Sequence, residues 1–398
     1  MPKYRFSVCI ILSFVVLAIG LSGQAATPPA KRVPRVAALV TAYYHNSHAD
    51  VIVSRLLQTM TLDGKGERPN LKLVSLYIDQ PESSHVGLEI ARQYGVPLFK
   101  KPADALTLGG KSLAVDGVLL IGEHGRYPLS STGQVMFPKR RLFGEILDVF
   151  DHSGRVVPVY TDKHLADNWE DAKWLYESAQ HHGFPLLAGS SVPLTWRYPP
   201  LDLPRGAKIS EIAVTTYGSL EAYGYHGLEV LGCLVEHRSG GETGVRSVQT
   251  LTGDHIWQAA KAGVFDRKLL EEALARRRHI LHGPARGNGR ELNLEGDLVN
   301  PVVVLIKYRD GLRATMLYAD NLQEWTAAWR ETKTGKTEST AFWTQEARPF
   351  MHFTYLTKGI EQLINTGKPA WPVERTLLAT GILNAYFRSK VGGDRELE

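Results

Sequence analysis

The stretch Arg155-Val-Val-Pro-Val-Tyr-Thr-Asp-Lys-His164 constrains what this chain can fold into more than any other. The apolar, β-branched run over residues 156–160 predicts a buried strand, which ends on three consecutive ionisable side chains, Asp162, Lys163 and His164. The period then changes: Trp169, Ala172, Leu175 or Tyr176, and Ala179 share one helical face, with Asp167 and Glu170 as a reciprocal N-cap and Gly183 as C-cap. A strand that carries charge to its carboxyl end and hands over to a helix is the unit of an open parallel α/β sheet, and such sheets keep their chemistry at those ends.

The same alternation recurs upstream. A buried strand over 36–40 precedes a helix capped by Ser47 and Asp50 and carrying Val51, Ile52, Leu56 and Met60. Strands follow at 71–79, 94–99 and 115–121, then a helix over 139–153 closed by Gly154, the opening stretch, and a sixth strand over 184–196. Right-handed crossovers make this a Rossmann-like, doubly wound α/β domain over 36–200. From Lys208 the texture changes. Extended runs at 209–214 and 245–251, an antiparallel pair at 302–307 and 313–318 around Asp310-Gly311, and helices over 218–236 and 254–279 predict an α+β domain over 201–348 with an open, mostly antiparallel sheet. Helices over 350–364 and 373–390, within 349–398, are expected to return to the first domain.

Residues 1–26 have Lys3 and Arg5 before an apolar run and small residues before a cut, the build of a Sec-type signal peptide followed by a linker over 27–35. Export to the periplasm or the extracellular space is expected, with no stable membrane span after cleavage. The formal charge of +5 then falls to +3, 44 basic against 41 acidic residues. The one basic triplet, Arg276-Arg-Arg278, reads as a helix end, so nucleic acid is not an expected partner. Only Cys233 remains besides Cys9 of the leader, which excludes an internal disulfide in the mature chain.

The candidate site residues lie at the strand ends. The turn Thr41-Ala-Tyr-Tyr-His-Asn46 stands where a dinucleotide fold has G-x-G-x-x-G and contains no glycine, so Tyr43 and His45 obstruct the approach of a pyrophosphate unless the turn is reshaped. Asp79 ends the second strand, where an acid can bind a ribose hydroxyl or simply start a turn. Glu123 and His124 follow the fourth strand and should face Asp162. In the second domain His226 and Glu229 are three apart on a helix, so the carboxylate can orient the imidazole, with Glu221 close enough to join them.

Three stretches resemble the glucose-fructose oxidoreductase and inositol dehydrogenase family (Gfo/Idh/MocA) over roughly residues 34–392: Asp162-Lys-His-Leu-Ala166, His226-Gly-Leu-Glu229 and Arg375-Thr-Leu-Leu-Ala-Thr-Gly381. The chain departs from the family at the glycine turn, at His164 in place of proline after the lysine, and at Ala222 four before His226. The resemblance implies Lys163 and His226 as the catalytic pair, with Asp162 and Glu229 beside them, NAD or NADP held near Thr41, Tyr43, Asp79, Glu123 and His124, and a sugar, polyol or related hydroxylated substrate. A non-redox lyase, isomerase or hydrolase is the alternative, assisted by a divalent metal on His124, Asp162, His164 and His226. A non-catalytic carbohydrate-binding protein is the third reading. Trp196 is the expected sugar-stacking residue. The other tryptophans read as core or interface residues, with a dimer face of a homo-oligomer as one place for Trp325 and Trp329.

Overall fold

Short apolar runs do become strands, and polar punctuation sets where they stop. In chain order the first part contains β1 (Arg35–Val40), α1 (His48–Leu57), β2 (Lys72–Ile78), α2 (His85–Tyr94), β3 (Leu98–Phe99), α3 (Pro102–Thr107), β4 (Gly117–Ile121), α4 (Lys139–Ser153), β5 (Val159–Asp162), α5 (Trp169–His182) and β6 (Leu186–Gly189). The computed structural model describes residues 32–277, 293–345 and 347–398; the expected leader, most of the linker, Arg278 and the end of the 254–279 helix lie outside these. The strands form one parallel sheet in the order β3-β2-β1-β4-β5-β6. Strands β1 and β4 are apolar on both faces because helices cover both sides. The order reverses between β1 and β4, which opens a crevice at their carboxyl ends.

Two local readings change. Helix α5 is capped by Asn168, whose side chain accepts from the Asp171 amide at 2.8 Å, and not by Asp167. The strand expected over 184–196 ends at Gly189, and β7 (Trp196–Tyr198) joins the other sheet by pairing with its edge.

That second sheet adds β8 (Ile209–Thr216), α6 (Ala222–Val235), β9 (Val245–Thr252), α7 (Asp254–Lys261), α8 (Arg267–Leu274), α9 (Leu294–Asp297), β10 (Val302–Tyr308), β11 (Arg313–Tyr318), β12 (Trp325–Glu331) and β13 (Thr337–Trp343). The order is β7-β13-β12-β8-β11-β10-β9, antiparallel throughout except for β8 beside β11. Helix α6 packs Tyr225, Leu228 and Leu231 on one face; α8 packs Leu269, Leu270 and Ala273 on the other. The single helix expected over 254–279 is two, because α7 stops before Gly263 at φ 70° and Asp266 caps α8 anew. Trp325 and Trp329 lie on β12, 4% and 3% exposed within the core, so they present no dimer face.

Helix α10 (His352–Thr366) packs Leu356, Ile360 and Leu363 against the β1 side of the first sheet. Helix α11 (Glu374–Val391) ties the two sheets together: Thr380 Oγ1 accepts from the Leu165 amide at 3.1 Å, Asn384 donates to Gln134 at 3.0 Å, and Ser389 Oγ accepts from the Thr250 amide at 2.9 Å. Val33–Glu398 forms one compact unit. Among the described residues no helix is long and apolar enough to cross a membrane.

Candidate active site

The carboxyl ends of β1, β4 and β5 and the start of α6 converge on a cleft of ≈ 560 Å³ lined by His48, Glu123, His124, Lys163, Tyr217, Tyr223, His226 and Trp325 among others. Lys163, 1% exposed, donates to Glu123 Oε1. Burial alone would raise the Glu123 carboxyl, but the Lys163 ammonium and the surrounding histidines outweigh it and hold it well below the usual carboxylate range. The tips of β4 and β5 meet as expected. Asp162 accepts from the amides of Gly122 at 2.8 Å and Glu123 at 3.2 Å, pairs with buried Lys139 at 2.9 Å and bonds His48 Nδ1 at 2.9 Å. With every oxygen committed, Asp162 fixes the site and does not reach into it.

His226 is oriented indirectly. Its Nδ1 lies 3.0 Å from Ser190 Oγ at the end of β6, and Ser190 Oγ in turn bonds Glu229 Oε2, so the carboxylate acts through a hydroxyl and not by touching the ring. Tyr225 OH also donates to Glu229, at 3.1 Å, and the Ser190 amide at 2.9 Å. Burial pushes the Glu229 carboxyl up against the pull of Ser190, Arg375 and Tyr225; because the Ser190 hydroxyl donates to it, Oγ accepts from Nδ1–H and the His226 Nε2 keeps its lone pair. Burial, then Lys163, pushes the His226 pKa well below its ordinary value, so the ring is a neutral base. Gly189 makes room for this chain: it holds φ 122°, and a Cβ there would stand 2.5 Å from Glu229 Oε1.

His164 points away from the cleft group, edge-on to Tyr225 at 4.7 Å, and burial followed by Lys163 pushes it down to about 3. Of the four expected metal ligands, His124 alone belongs to a ligand-spaced group among the described residues; its companions are Glu123 and His48. His48 was missed. The signal was there: it opens the helix after β1, beside the reversal point of the sheet. Trp196 is 52% exposed and outside the cleft, whereas Trp325 lines it, stacked on Tyr223 at 5.5 Å and edge-on to His226 at 5.3 Å. Glu221 stands nearby, its Oε1 accepting from the Val135 amide at 2.9 Å, and burial pushes it up to about 7.

The residues at the reversal point do not fit a nicotinamide dinucleotide with its pyrophosphate on the β1–α1 turn. Such a ligand needs outward amides, and several at this turn are taken: Thr41 N by Ile121 O, Tyr43 N by Ser84 Oγ, Asn46 N by Asp50, Ser47 N by Tyr44 O and Asp50 N by Ser47 Oγ. Asp50 itself places a carboxylate in the first turn of α1, paired with Arg348 at 2.6 Å. Thr41 is fully buried, and the Tyr43 ring is in the core, its hydroxyl on Ser54 at 2.7 Å. Asp79 is held by Tyr77, Tyr127 and Arg141. Gln80 exchanges two 2.9 Å hydrogen bonds with the Arg126 backbone. Because β1 lies between β2 and β4, these links from the β2 end to the loop after β4 roof the groove over β1.

No family model and no curated protein sequence matches the chain. Solved structures do. GenD2 from gentamicin A biosynthesis, in complex with NAD, is similar at 14% identity over 92% of this chain and 96% of that one, with a TM-score of 0.58. Myo-inositol dehydrogenase from Lactobacillus casei, in complex with NAD(H) and myo-inositol, is similar at 11% identity over 92% and 96%, with 0.56. The WlbA dehydrogenase from Bordetella pertussis, in complex with NADH and UDP-GlcNAcA, is similar at 15% over 92% and 98%, with 0.51. The chain therefore has the two-sheet fold of the Gfo/Idh/MocA dehydrogenases, a parallel Rossmann-like sheet joined to a mostly antiparallel one.

Proposed function

We propose that this protein is an exported enzyme that performs acid–base chemistry on a sugar, polyol or related hydroxylated molecule without a dinucleotide bound on the β1–α1 turn. One observation carries the reading: Lys163 from the first sheet and His226 from the second line the same cleft, and His226 is held as a neutral base by Ser190 and Glu229. His226 Nε2 takes a proton from a substrate hydroxyl or carbon; Lys163 holds the neighbouring oxygen and stabilises negative charge as it develops. Tyr217, Tyr223 and Trp325 offer apolar faces to a sugar ring. Elimination, epimerisation and hydrolysis all use these parts. The support for export is the leader-like order of residues 1–26.

A second reading, hydride exchange with NAD or NADP, is favoured by the likeness to structures solved with those cofactors. The experiment separates all three classes. Purified protein is offered panels of sugars and polyols, with and without NAD and NADP, and products are followed by NMR. Turnover without dinucleotide that falls about 10²–10⁴-fold in Lys163→Ala and in His226→Ala supports the proposal. Turnover only with dinucleotide supports the second reading. Binding that neither substitution alters, with no turnover, leaves a carbohydrate-binding protein.

A further inference from the structure

We propose that His48, Glu123 and His124 form a binding site for one first-row divalent metal ion at the reversal point of the first sheet. The three residues come from the two strand ends that the topology makes neighbours, His48 after β1 and Glu123-His124 after β4. Each offers one ligand atom, and these atoms all lie within 4.8 Å of one another. Two donors on one zinc-like ion, at bonds of about 2.0–2.2 Å, stand roughly 3–4 Å apart, and His48 Nδ1 is 3.2 Å from Glu123 Oε2.

A second, independent observation points to a ligand. Glu123 is 6% exposed, and its Oε2 is buried without a hydrogen-bond partner, although a buried carboxylate oxygen ordinarily has one. Lys163 occupies only the other oxygen, Oε1, which leaves Oε2 turned to His48. Asp162, itself fixed by two backbone amides and Lys139, stands 2.9 Å from the same His48 Nδ1, so an ion that takes this nitrogen replaces its hydrogen bond to Asp162 and leaves that carboxylate beside the site. Two imidazoles and one carboxylate select zinc, manganese, iron or cobalt over calcium and magnesium. Three protein donors leave further positions open, and all three residues line the cleft that holds Lys163 and His226. There an ion polarises a substrate oxygen. That use rests on the acid–base reading above; the binding itself does not.

The opposing arrangement is a protonated His48 shared by Asp162 and Glu123 as a plain ion-pair network. Chelator-treated protein titrated with Co²⁺, followed by visible absorption and calorimetry, distinguishes the two. The site predicts one ion per chain with ligand-field bands of nitrogen and oxygen coordination, displaced by Zn²⁺, and a loss of affinity of about 100-fold in His124→Ala and in Glu123→Gln. His124 is only partly buried, so its substitution keeps the test usable if Glu123→Gln does not fold. His226→Ala retains the Co²⁺ bands while losing turnover, so the metal site and the acid–base pair fail separately. Absence of stoichiometric binding, or equal binding by wild type and His124→Ala, overturns the proposal and assigns any uptake to surface imidazoles such as His181 and His182.

Discussion

Replacing Lys139 by methionine removes one charge from the pair that holds β5 to β4 while keeping the aliphatic stem that packs beneath Gly122. Lys139 and Asp162 are each 1% exposed and 2.9 Å apart, and Lys139 also donates to the carbonyls of Asp162 and His164. At an effective dielectric of about 20 the Coulomb attraction at this distance is roughly 6 kcal/mol, most of it offset by the desolvation of both charges. Removing Lys139 leaves Asp162 buried with its two amides and His48 but without its ammonium, and breaking a buried pair in this way costs about 3–5 kcal/mol. Equilibrium urea unfolding of wild type, Lys139→Met, Asp162→Asn and the double variant measures this. Each single variant should lose about 3–5 kcal/mol and the double variant much less than their sum. A loss below about 1 kcal/mol in Lys139→Met, or strict additivity, refutes the claim that the pair organises the site. Burial alone would raise the Asp162 carboxyl, but Lys139 and His48 bring it below its ordinary value. Its contribution is therefore present above the unfolded carboxylate pKa and is lost as pH falls through the folded one, so Lys139→Met should also flatten the acid limb of stability.

Ser190→Ala cuts the link between Glu229 and His226; turnover should fall about 10²-fold with little change in KM, because the base is misplaced and not removed. Glu221 shifts the other way from Asp162: burial raises it to about 7, so its contribution is complete below the unfolded value and is lost as pH rises through 7. Unfolding from pH 5 to 8 should show that decline, and Glu221→Gln should lack it; an identical decline in the variant would locate it elsewhere. Burial pushes the Cys233 thiol up to about 11, so peptide mapping should find it unalkylated in the native protein and fully alkylated in urea.

The first sheet was legible because its strands are buried on both faces and its helices carry local caps: Ser47, Gly154 and Gly183 act where the sequence puts them. The second sheet was half legible. Strands β12 and β13 contain Trp325, Trp329 and Trp343 among threonines and alanines, and tryptophans spaced by four suit a helix face as well as alternate positions on a strand. Lys163 and His226 were visible as residue types, and their shared cleft follows from the pairing of the two sheets by α11. Ser190 was not, since a serine beside a strand end carries no period and no charge; only the three-dimensional neighbourhood of Glu229 makes it a link. Asp79 shows the reverse case. An acid after the second strand has the position for a ribose, but Tyr127 and Arg141, 48 and 62 residues away, claim it.

Helix α11 has a consequence for how the protein is made. Its hydroxyls and amide hold Leu165 next to the Lys163 strand end, Gln134 beneath the β4 loop and Thr250 in the second sheet. The strands of the first sheet are close in sequence and can pair without the end of the chain, and Ser190 and Val135 already reach α6 and its start, but the ties through α11 come last of all. Chains truncated before residue 374 should therefore keep the Ser190–Glu229 and Val135–Glu221 links but lose the α11 ties, and limited proteolysis should cut them faster between the two sheets than the full chain.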